Sequence, residues 1–164
     1  MATTYEPIAT TTLSSTTNTF TFSSIPSSYT DLRISLFARS SGNYIRTRIR
    51  FNSVTTDTYN QLLLYAAGST VLTSEFGTTY IEADTEGMIA AQPSFYSFDI
   101  FSYAGSTFKN CLITSSEDKN GTGQVNRIVG MWRSTSAIDS VTIFTDASTF
   151  AVGTTATIYG IKAA

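Results

Sequence analysis

Residues 44–51, YIRTRIRF, alternate between two kinds of side chain along their whole length. Ile45, Thr47, Ile49 and Phe51 share one parity, and Tyr44, Arg46, Arg48 and Arg50 share the other. Successive side chains point to opposite faces in an extended strand, whereas a helix would scatter both sets around its circumference. The segment therefore predicts a strand with its apolar set against a core and three guanidinium groups facing away.

The same period recurs elsewhere. Phe20 and Phe22 alternate toward an Ile25-Pro26 turn, where the proline pushes position 25 toward an extended conformation. Leu32, Ile34 and Leu36 lie opposite Arg33 and Ser35. Segments 60–65, 108–115, 125–134, 140–145 and 155–162 follow, separated by turns rich in Gly, Asn, Asp and Ser. Trp132 shares its parity with Ile128 and falls in the core, with Arg133 opposite. Eight to ten strands at this spacing predict an all-β, antiparallel β-sandwich, jelly-roll-like. Phe20, Phe22, Leu32, Ile34, Leu36, Ile45, Ile49, Ile128 and Trp132 are its expected core, and the closing ATIYGIK strand is placed near a sheet centre. Ala137-Ile138-Asp139 is the one candidate helical turn.

Composition agrees. Thr (29) and Ser (22) fill 51 of 164 positions, while charged residues are 13%, too few for the solvent faces of a helical bundle. Disorder would pair low apolar content with high net charge, and the net charge here is -2. The length suits one domain over residues 1–164, with residues 1–16 read as an extended N-terminal arm.

Several chemistries lose their residues. With no His and one Cys, Cys111, a His/Cys zinc site and an intramolecular disulfide are both excluded within one chain. Cys111 reads as a small core hydrophobe. Residues 1–19 carry no basic residue and no apolar stretch, so no secretory leader is expected. No run approaches the roughly 20 apolar residues of a membrane span, and the slight negative charge argues against nucleic acid. Glu82, Asp84, Asp99, Glu117 and Asp118 could meet in a cleft, but their spacing does not require it. Asp118, Asn120 and Gly121 resemble a fragment of a calcium loop without its spacing or its terminal Glu. They read as an Asn-Gly turn, and the Asn120-Gly121-Thr122 sequon carries no weight. The expectation is a protein that is not an enzyme, with no cofactor, no metal site and no membrane partner.

Two features remain as candidate interfaces. Arg46, Arg48 and Arg50 form a ladder about 13 Å long at roughly 3.3 Å per residue. It suits a protein interface, a solvated sheet face, or nucleic-acid or glycan binding. Glu82, Asp84 and Glu86 match it in charge and spacing, either across strands of one chain or on a neighbouring copy. Tyr44, Tyr59, Tyr65, Tyr80, Tyr96 and Tyr103 could form a stacking platform for sugars or anchor subunit contacts.

The opening TYEPIATTTLSS with SSIPSSYTDLRI, the central DIFSYAGST, the stretch VNRIVGMWRSTSAIDSVTIF and the closing ASTFAVGTTATIYGIKAA resemble small virion structural proteins of tailed bacteriophages, notably those of marine cyanobacteria. The likeness is strongest over residues 3–36 and 97–162. It implies a sandwich or jelly-roll module on the exterior of head or tail, made in the host cytoplasm, with no catalytic residue to transfer. The expected role is a capsid decoration or cement protein. The alternatives are a tail, baseplate or fibre-associated adaptor or receptor-contacting module, and then a carbohydrate-binding domain. Expected partners are the major capsid protein or tail proteins of the same phage, and a homo-oligomer, a trimer by analogy with capsid symmetry.

Overall fold

The computed structural model describes residues 4–42, 44–67, 70–90, 92–119 and 122–162, with backbone alone for residues 67 and 70–76. These form twelve strands: β1 (Tyr5–Thr12), β2 (Thr19–Phe22), β3 (Asp31–Arg39), β4 (Thr47–Phe51), β5 (Tyr59–Ala67), β6 (Thr70–Thr78), β7 (Ile81–Glu82), β8 (Pro93–Phe101), β9 (Lys109–Asp118), β10 (Gly123–Trp132), β11 (Val141–Thr145) and β12 (Thr155–Ile161). All named pairs are antiparallel. The large sheet runs β1-β12-β3-β8-β9-β10-β5-β6 and the small one β2-β11-β4-β7.

The strand order is a jelly roll with two inserted hairpins. β1 lies beside β12, β2 beside β11, β3 beside β8 and β4 beside β7, as if one long hairpin had been folded over into two sheets. The β5–β6 and β9–β10 hairpins interrupt that nesting and widen the large sheet beyond β8.

Twelve strands exceed the eight to ten expected, for identifiable reasons. The segment read as an arm is an edge strand over Tyr5–Thr12. Its outward threonines pair across β12 as Thr10–Thr157 and Thr12–Thr155, a ladder without apolar alternation to announce it. The short VLT segment is part of the nine-residue β6, and β7 is too short to carry a period. β12 is flanked on both sides, one strand in from the edge rather than at the centre. Ala137-Ile138-Asp139 is irregular, not helical, and Ile138 is buried.

The alternation holds where it was legible. Every expected core residue is buried, as are Phe51 and Cys111. Phe51 of the small sheet meets Trp132 and Tyr59 of the large one, with ring centroids 5.8 and 6.1 Å away. The Tyr59 hydroxyl donates to the Phe51 carbonyl and accepts from its N–H, tying the two sheets together. Burial pushes that phenol up to about 12, so it stays neutral and keeps both bonds. Close by, Gly130 lets β10 approach β7: a Cβ there would stand 2.6 Å from Ile81.

Candidate functional site

The outward parity of the small sheet carries the arginine ladder. Arg48 and Glu82 are cross-strand partners, and their side chains meet at 3.2 Å. Asp146 lies 3.7 Å from the same guanidinium. Burial holds Glu82 above the ordinary carboxylate range, and Arg48 lowers it only in part. The Arg48 guanidinium also stacks over Tyr80 at 4.2 Å, Tyr80 packs edge-on against Phe144, and Arg50 stacks over Phe144 at 4.5 Å. Two aromatic rings thus stand between two of the guanidinium groups, and cation–π attraction replaces repulsion along the ladder. Arg50 Nε donates to the Thr79 carbonyl. Arg46 is exposed, and its backbone N–H donates to Asp146.

The acidic set does not share a face. β7 ends at Glu82, so the spacing of two stops meaning alternation there. Gly87, at φ +81°, then turns the chain so that Met88 pairs with Ile45. Glu82 joins Arg48, Glu86 pairs with Lys119 at 2.6 Å, and Asp84 is buried between the sheets. The tyrosines do not form a platform either. Tyr59, Tyr96 and Tyr103 are buried, Tyr65 and Tyr80 are half-buried, and Tyr44 is exposed. Asn120 and Gly121 of the proposed turn lie outside the described residues.

The outer face of the large sheet carries what period reading missed. Leu62, Leu64, Phe37, Phe95, Val125 and Val129 each have 46–57% of their surface exposed. Leu62 stands opposite Val129, Val129 opposite Leu112, and Phe37 opposite Phe95, so apolar side chains run in cross-strand rows. Two shallow depressions of about 220 and 250 Å³ lie among them, the first against Leu64 and Val125, the second against Leu62 and Val129. Charge on this face lies in Arg33, bound to Asp99 at 2.5 Å, in Arg127, which donates to the Thr114 hydroxyl, and at strand ends in Asp31, Arg39 and Asp118.

Nucleophilic chemistry has little support in the surroundings of Cys111, whose thiol burial pushes far above its usual range. Lys109, buried beside Trp132 in register, spends its ammonium on the Gly105 and Thr107 carbonyls. Among the described residues no three Cys, Asp or Glu side chains gather as a metal-binding group, and no helix is long and apolar enough to cross a membrane. No family model, curated protein or solved structure matches the chain.

Proposed function

We propose that this chain is a non-enzymatic virion structural protein, a decoration protein that caps contacts between major-capsid subunits and works as a homo-oligomer. The virion assignment rests on the sequence resemblance. The subunit role rests on one observation, the apolar outer face of the large sheet. Exposed or half-buried aliphatic side chains paired across strands, as in the row Leu62, Val129 and Leu112, mark a place where something else packs. Eight strands at roughly 4.8 Å spacing, about nine residues long, span about 34 by 30 Å. That is room for the roughly 800 Å² per partner of a specific interface. The face carries charges of both signs, and Arg33 is already paired with Asp99, so a second copy meets it without net repulsion and the occupant favoured here is another copy of this chain.

The test is a reconstruction of the intact particle. Copies repeated with the symmetry of the shell support decoration, and a few copies at the tail move the role to a tail or baseplate adaptor. Absence from the particle overturns the virion reading.

A further inference from the structure

Two carboxylates lie inside the sandwich, at the end of the interior where β8, β9 and β10 face the segment after β7. Asp84 is fully buried, and its Oδ2 accepts hydrogen bonds from the Thr47 N–H at 3.0 Å and the Tyr96 hydroxyl at 2.9 Å. Glu117, 4% exposed, sits in register between Ser94 of β8 and Gln124 of β10. The Tyr96 hydroxyl faces Glu117 and the Thr47 hydroxyl as well, so one phenol marks where these groups converge. Thr85, next to Asp84 in the chain, receives the Gln124 side-chain N–H and donates to Asn126, which holds Gln124 against the same cluster.

Five buried oxygens here lack a hydrogen-bond partner among the described residues: Asp84 Oδ1, both carboxylate oxygens of Glu117, Gln124 Oε1 and Thr47 Oγ1. Unpartnered buried oxygens are strongly unfavourable. The nearest ammonium, Lys119, is 3.8 Å from Glu117 and closer to Glu86, at 2.6 Å, so it offsets little of the charge that the pair carries when ionised. Even with both carboxyls protonated, two protons bridge at most four of the five oxygens. Two carboxylates joined by carboxamide and hydroxyl oxygens, with no nitrogen or sulfur donor, are the ligand chemistry of a hard divalent cation. We propose that Asp84 and Glu117, with Gln124 Oε1 and Thr47 Oγ1, bind a calcium-class divalent cation between the two sheets. The ion would clamp β9 and β10 to β4 and the segment after β7. This inference is independent of the virion reading.

The experiment uses the full chain freed of metal with a chelator, then titrated with Tb³⁺ and with Ca²⁺. Tyr96 is placed to sensitise Tb³⁺, so emission excited through tyrosine should rise several-fold and fall when Ca²⁺ displaces the lanthanide. Ca²⁺ to about 10 mM should raise Tm by about 3–6 °C. Glu117→Gln keeps the shape while removing a buried charge, so it should fold and lose both responses. Asp57→Asn, at an exposed acid, should keep both. Absence of both responses in the parent, or equal responses in Glu117→Gln, would overturn the proposal. So would a parent stabilised on acidification through pH 7 yet indifferent to Ca²⁺, since its occupant would be a proton.

Discussion

The two outer faces of the sandwich are built by the same alternation and end in opposite states. On the small sheet the outward positions hold Arg48, Arg50, Phe144 and Glu82, long or flat side chains that reach one another within the chain, while Arg46 beside them stays exposed. On the large sheet they hold Leu62, Leu64, Val125 and Val129, whose short aliphatic chains touch neighbours sideways yet leave about half their surface in water. The difference teaches where partners belong. A charged stripe looks like a docking site in a sequence, but a stripe that has satisfied itself has little left for another molecule. The face with exposed aliphatic side chains is the one left incomplete.

That contrast can be broken by substitution, with the scale set by the interior both sheets share. Trp132→Ala removes the ring packed between Phe51 and Tyr59 and should destabilise the chain by about 3–5 kcal/mol in a denaturant titration. A loss below about 1 kcal/mol would mean that the sheets are not held at this seam.

Glu117 comes next, and with the opposite sign. Burial, opposed by Lys119, pushes its carboxyl up to about 7, against an ordinary value of 4.5, and Asp84 moves the same way. The folded state then holds a proton that the unfolded state has released. Stability is therefore highest below about pH 4.5, falls as the pH rises to about 7, and levels off above. In metal-free buffer at pH 8, Glu117→Gln should exceed the parent by on the order of 3 kcal/mol, and the two should converge near pH 4.5. A difference that does not change with pH would contradict this.

Arginine substitutions sharpen the comparison of faces directly. Arg48→Ala strands the buried Glu82 and should destabilise by about 1–3 kcal/mol. Arg50→Ala loses one ring contact and one carbonyl bond and should cost under about 1.5 kcal/mol. Both losses should persist at concentrations where the chain is monomeric, because the contacts are internal. Losses that appear only in the assembled state would make the ladder an interface after all.

How much of this was legible depends on whether alternation carried contrast. β3 and β4 place apolar side chains against polar or charged ones, so their parity could be read one strand at a time. β1 could not, since a register shift between Pro7 and Ala9 breaks its alternation and its place is set by β12, about 150 residues away. On β10 the outward set includes Val125 and Val129 beside Arg127, and period alone cannot say that the two valines stay uncovered. Glu82, Asp84 and Glu86 failed differently: their spacing was real, but the strand that would have given it meaning ends after two residues. For Glu117 a signal was present. It shares its parity with Cys111 and Ile113, and a carboxylate continuing a buried series is a warning that the interior is polar there.

The central claim is that the large sheet, not the arginine ladder, is the face completed by another copy. It is tested by light scattering on the purified chain across micromolar concentrations, the parent against Val129→Asp and against Arg48→Ala. The account predicts an oligomer for the parent and for Arg48→Ala, at both low and high salt, and a monomer for Val129→Asp, whose buried aspartate would have no partner. A parent that remains a monomer throughout, or an oligomer that dissolves with Arg48→Ala and survives Val129→Asp, would contradict it.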